Sequence, residues 1–232
     1  MPVSRHVVDR PLRVGEVFAE TARLYGERIG AALALGALFT LTLAVGLTTY
    51  DLVYFVLVTL GFGATYAAAV RIAGGDSLSE ACSQVVVRSP ILLVLCVAVC
   101  LPFVASLRFG IVVLAGAAWL AFSGFAIPVA MLEGNEAPDS LFARLGFALN
   151  RAVELARTEY LHALGVIAAL LLLEWFLSVF VGGLLRGIAD NSALVAAILA
   201  GIILWPLVFF GLSVLYFEQR ARRAAKLRAS AG

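Results

Sequence analysis

Few side chains in this sequence could do chemistry. The most conspicuous is Glu174, set in the apolar run LLLEWFLSVF at 171–180. Ser178 follows one helical turn later, so the two would share a face. An acid inside such a run is expensive in lipid unless it is paired, neutral or beside water, which marks it as a functional candidate. Two cations lie within reach by sequence: Arg108 in LRFG, and Arg186 just after the run. The structural reading pairs Glu174 with one of them, Arg108 first. The functional reading makes Glu174 and Ser178 a proton or substrate site in a polar cavity.

The remaining reactive residues are scattered. His6 and His162 stand in no H-E-x-x-H motif, metal triplet or nucleophile elbow. Cys96 and Cys100 share a helix face, with Cys82 apart. No His or acid adjoins them, so they read as small packing residues and not as a metal site or disulfide framework. Gly61 and Gly63, with Gly30, Gly36, Ala37, Gly46, Gly116 and Gly124, read as places where helices approach closely. The acids Glu133, Glu136 and Asp139 in LEGNEAPD could bind a cation or a headgroup amine. The simpler reading is a turn and a helix start, where an acid complements the helix dipole. The closing Arg220, Arg222, Arg223, Lys226 and Arg228 are candidate headgroup contacts for anionic lipid, and they also orient the last span. No catalytic cluster, metal or other cofactor is expected.

These residues need an oily frame to hold them. The chain of 232 residues is 62% hydrophobic and 14% charged, where a soluble domain is about 45–50% apolar and about 25% charged. No soluble packing buries that excess, so the solvent is a bilayer. A spanning helix needs about 20 apolar residues, and six stretches qualify: 29–49, 52–70, 90–106, 111–131, 161–182 and 193–216. The first 28 residues mix acids with arginines and lack a short apolar core, so no cleavable signal is expected. The spans place fifteen basic residues on one side and leave Arg108 and Arg186, of 17, on the other. By the positive-inside rule both termini are cytoplasmic. Tyr50, Tyr54, Trp119, Tyr160, Trp175, Trp205, Tyr216 and Phe217 near span ends fit interfacial belts.

The segments on the basic side carry helical periodicity. In 11–28, Val14, Val17, Phe18, Leu24 and Tyr25 form a stripe with Thr21 in its gap. In 76–89, Ser77 and Glu80 have capping-box spacing before Leu78, Cys82 and Val85. In 137–160, an Asp139 or Ser140 cap leads to Leu141, Leu145, Leu149 and Ala152. Each would be an amphipathic helix lying at the inner membrane surface or packed on the bundle. Leu12, Leu78 and Leu141 start three similar units, about 11–70, 76–131 and 139–216, with a basic tail at 217–232. The expectation is one all-α, polytopic membrane domain over 1–232.

Three of these stretches carry a resemblance. RPLRVGEVFAETARLYGERIG at 10–30, IPVAMLEGNEAPDSLFARLGFALNRAVE at 127–154 and VLYFEQRARR at 214–223 are similar to the glycerophosphoryl diester phosphodiesterase membrane domain family of bacteria. The family's R-P-L-x-x-G-E opening, its hydrophobic-E-G span end and its L-Y-F-D-x-R-x-R-R close are matched, with Glu218 where the acid is usually Asp. In phosphodiesterase members this membrane region is joined to a soluble catalytic barrel. Here the sequence ends at Gly232 without one, so the resemblance implies a stand-alone membrane region in the bacterial inner membrane and no phosphodiesterase activity.

The first functional expectation is a non-catalytic scaffold or lipid-interacting module, with membrane lipids, another membrane protein or a second copy as partner and no nucleic acid. The alternative is a small transporter or lipid-handling protein built on Glu174; the third is an intramembrane enzyme. A scaffold predicts a filled core with Glu174 tied to an arginine. A transporter predicts a water-accessible cavity reaching Glu174 within the outer half of the bilayer.

Overall fold

A computed structural model describes residues 10–109, 113–134, 140–185 and 192–231, without the side chains at 108, 109, 182, 185, 192–194 and 231. It is all helical among the described residues: α1 (Val14–Glu27), α2 (Ile29–Leu47), α3 (Asp51–Ala73), α4 (Leu78–Val87), α5 (Ser89–Leu95), a π-helical turn (Cys96–Cys100), α6 (Leu101–Phe109), α7 (Val113–Ser123), α8 (Ala126–Leu132), α9 (Leu141–Ala156), α10 (Tyr160–Leu185) and α11 (Ser192–Ala231). Six helical stretches are long and apolar enough to cross a membrane, matching the six expected from sequence. The protein is a polytopic all-α membrane protein. With six crossings, α1 and the end of α11 lie at one end of the bundle, called here the terminal face; the opposite end is the distal face.

Helices α3 and α11 are the most central, each packing on several neighbours, and α2 lies against both. Their contact is aromatic. Phe39 of α2 meets Trp205 and Phe209 of α11 edge-on, with ring centroids 4.7 and 5.3 Å apart, and Phe62 of α3 sits 5.1 Å from Phe103 of α6. Such edge-to-face geometry adds about 0.5–1.5 kcal/mol per pair beyond area burial. Trp205, Tyr216 and Tyr54 are therefore buried packing residues and not interfacial anchors.

Two prolines shape the spans. Pro206, inside α11, cannot donate to the carbonyl of Ile202. Gly36 of α2 lies directly over that carbonyl: a Cβ there would stand 2.0 Å from the Ile202 oxygen. Only a residue without a side chain allows this approach, the kind on which helix association in lipid depends. Pro102 follows the π-helical turn, whose wider register absorbs the missing backbone donor. Trp119 adds an indole N–H donated to the Val99 carbonyl at 3.1 Å. Cys96 fills the notch left by Gly63, where an added Cβ would lie 2.0 Å from its sulfur. Packing thus accounts for both. Gly30 departs from the close-approach reading, since nothing lies within 4 Å of a Cβ built there, and the three atoms nearest a Cβ at Gly124 belong to Leu120 of its own segment.

Of the three amphipathic helices α1, α4 and α9, the latter two begin as their capping residues direct. Ser77 Oγ accepts from Glu80 N while Ser77 N donates to Glu80 Oε2 at 2.8 Å, and Ser140 Oγ accepts from Ala143 N at 3.2 Å. Asp139, the other cap candidate, lies outside the described residues. The expected stripe of α1 packs on the core except at Val14, with Phe18 and Tyr25 partly buried beside it, while those of α4 and α9 do so only in part, through Leu78, Val85, Leu145 and Ala152. Helix α1 buries Val17, Thr21 and Leu24 but exposes Val14; α9 buries Ala148, Ala152, Leu155 and Ala156 while Leu141 and Leu149 face outward; α4 fully buries only Ala81, and Cys82 is exposed. Small residues face protein because they let helices approach. Large apolar ones can point out of the bundle at little cost where lipid is the solvent.

Candidate functional site

Helix α10 positions the intramembrane acid, and it packs unevenly. Its first half buries Ala163, Val166, Ile167, Leu170 and Leu171, mainly against α11 and α7. Beyond Leu171 it turns most of its surface outward, with Leu172, Trp175, Phe176, Val179 and Phe180 exposed. Glu174 stands where contact with the bundle gives way. It is half-buried, and Ser178 Oγ donates to its Oε1 at 2.9 Å, so the predicted pairing of these two on one face is present.

Two cavities meet at Glu174. One, of about 540 Å³, opens between α2, α10 and α11 and is lined by Thr40, Leu43, Ser178, Val179 and Gly201, among others. A second, of about 350 Å³, lies between α6, α7, α10 and α11, with Leu107, Leu114 and Leu171 in its walls. Glu174, Trp175 and Trp205 line both. Thr40 is buried, and its hydroxyl has no hydrogen-bond partner among the described residues. The distal half of the bundle is therefore not filled around the acid. The expected pairing with Arg108 or Arg186 falls outside what is described: the Arg108 side chain and all of Arg186.

A second polar assembly occupies the terminal face. Glu133 caps the C-terminus of α8, where the helix dipole disfavours an anion. It is nonetheless buried at 4% exposure. Tyr216 Oη donates to its Oε1 at 2.6 Å, Arg151 Nε donates to Oε2 at 2.9 Å, and Arg220 Nε lies 3.8 Å away. Arg151 and Arg223 also hold Glu154, whose carboxyl is kept below the usual carboxylate range chiefly by the Arg223 hydrogen bond. Farther along α11 from Tyr216, Arg222 joins fully buried Glu218 to Glu159 and donates to the Leu12 carbonyl at 2.8 Å. His162 Nε2 stands 3.8 Å from Glu218 Oε2. Gln219 is fully buried, with neither amide atom hydrogen-bonded among the described residues.

This network places the five candidate headgroup residues. Arg222 and Arg223 are committed to Glu218, Glu159 and Glu154, and Lys226 Nζ donates to the Thr158 carbonyl at 2.5 Å. Arg220 is exposed beside Glu133, and Arg228 is exposed farther along. The stretch from 217 is no loose tail: α11 continues unbroken to Ala231. Of the acids in LEGNEAPD, Glu133 is a helix end and an ion-pair centre, and not part of a helix start; Glu136 and Asp139 lie outside the described residues.

Sequence reasoning missed Glu133, Tyr216, Arg151 and Glu218 as one assembly. The available signal was that Glu133 and Glu218 each directly follow a long apolar run, so each begins its polar segment from inside the bundle's end. The stretches at 10–30, 127–154 and 214–223 meet here, through the Leu12 carbonyl, Glu133, Arg151, Tyr216, Glu218 and Arg222. Comparison with family models, with curated proteins and with solved structures finds no match.

Proposed function

We propose that this chain is a non-catalytic lipid-interacting membrane protein that holds an amphiphile in the lateral grooves around Glu174. The observation that carries the reading is the pair of cavities meeting at one acid. A filled core was the expectation for a pure scaffold, and the grooves favour the lipid-handling alternative over it. Their walls are mostly apolar with a few convergent polar groups, the usual composition of a small-molecule site. The proposal includes the orientation that the basic residues favour, with the terminal face and both termini in the cytoplasm of a bacterial cell and the grooves in the outer leaflet. It also includes the three helix-plus-hairpin units as repeats, and kinship with the glycerophosphoryl diester phosphodiesterase membrane domain family.

The test is lipid retention. Native mass spectrometry of the chain released from nanodiscs is expected to show bound lipid. Leu43→Trp, which adds bulk at the groove margin, is expected to strip it without changing the unfolding midpoint. Equal retention by the folded variant would remove the groove as the binding place.

A further inference from the structure

We infer that the polar end of the groove takes an ammonium group, so that the amphiphile held there is amine-bearing; this rests on the lipid-handling reading above. Charge comes first. Thirteen residues from the start of its span, Glu174 sits about 20 Å across an approximately 30 Å apolar layer. At that depth the acid must be neutral or meet a compensating charge, and an ammonium is the group that supplies the charge. The acid's described partner, the Ser178 hydroxyl at 2.9 Å, hydrogen-bonds to the anion but does not neutralise it.

The second line is the match of donors to acceptors. An ammonium carries three donors and no acceptor. The cavity offers a carboxylate and the lone pairs of Ser178 Oγ, whose proton already points at Glu174. The third line is aromatic. Trp175 and Trp205 line both cavities beside the acid, and an indole face is the strongest aromatic site for an ammonium. A phosphate or sulfate at this end would face Glu174 as a like charge. An alcohol would bring no charge to balance the acid.

Tryptophan emission reads this directly, because two of the three tryptophans line the groove. The full chain in nanodiscs is titrated with three chain-brominated quenchers that share one alkyl chain and end in an amine, an alcohol or a sulfate. Quenching that an unbrominated competitor reverses reports occupancy. The amine is expected to half-quench at a concentration at least about tenfold below the alcohol, with the sulfate failing to compete. Glu174→Gln is expected to erase the amine's advantage. Trp175→Phe, at an exposed position, serves if Glu174→Gln does not fold, and is expected to narrow that advantage.

Equal reversible quenching by amine and alcohol would overturn the ammonium assignment while leaving an occupied groove. An unchanged preference in folded Glu174→Gln, or in Trp175→Phe if the former fails to fold, would overturn it as well. Absence of reversible quenching by any probe would sink the groove reading itself.

Discussion

Glu133 and Glu174 are both acids on helices of this bundle, and their surroundings differ in kind. Glu133 is almost fully buried at the terminal face, yet Arg151, Tyr216 and Arg220 converge on it. Glu174 is half-buried in the distal half and is met by one hydroxyl, two indoles and open volume. The first is what a structural acid requires: its desolvation is offset by fixed opposite charge and hydrogen bonds. The second leaves its requirement unmet by the described protein groups. A buried polar group satisfied from within holds the fold together, whereas one left short points to something arriving from outside.

Substitutions can break this contrast, and the largest effect belongs to the terminal face. Glu133→Ala is expected to cost about 3–5 kcal/mol, since it leaves the buried Tyr216 hydroxyl without its acceptor and Arg151 with Glu154 alone. A fall in the unfolding midpoint in detergent measures it. A midpoint shift as small as that of Glu174→Gln would erase the distinction between the two acids. Next is Gly36→Ala. Its Cβ would meet a backbone oxygen, which cannot move aside as a side-chain end can, so a loss of about 1–3 kcal/mol is expected on the same measure.

Glu174→Gln is expected to change stability by less than about 1 kcal/mol, because the amide oxygen still accepts from Ser178. Combined with Arg108→Gln it should be additive. A coupling well above about 0.5 kcal/mol in the double-mutant cycle would establish the pairing first expected from sequence and weaken the ligand reading. The smallest effect is that of pH on Glu154. Its carboxyl is held low, so its contribution is in place above the unfolded-state pKa and is lost as pH falls through the lower folded value. Half-exposed as it is, it is worth well under about 1 kcal/mol and weakens with salt. Chemical unfolding between pH 3 and 6, with Glu154→Gln showing the shallower dependence, resolves it.

Much of the bundle was legible because lipid imposes a length and composition that few other environments demand. The six spans, the Ser77–Glu80 cap and the Glu174–Ser178 turn follow from local rules. The face of α1 did too, apart from Val14, but those of α4 and α9 did so only in part. In water, an apolar stripe marks the buried side. Beside lipid, Leu141 and Leu149 can stay outside while Ala148 and Ala152 make the protein contact, so the pattern no longer distinguishes the two. The Glu133 assembly was hidden for another reason: its members span residues 133 to 220, and only the tertiary fold brings them together. The groove was hidden too, since no residue type encodes that α10 leaves the bundle beyond Leu171.

Helix α11 connects the two regions. At 40 residues it is about 60 Å long, roughly double the oily layer it crosses. Gly201 and Trp205 of its distal part wall the groove, while Tyr216, Glu218 and Arg222 anchor it at the other end. A rod held this way is a lever with Pro206 near its fulcrum. A tilt of about 10° there would swing the Ala231 end, about 37 Å away, through about 6 Å. Whatever occupies the groove therefore leans on the same beam that carries the arginine-rich end, and displacement at one extremity has a mechanical route to the other.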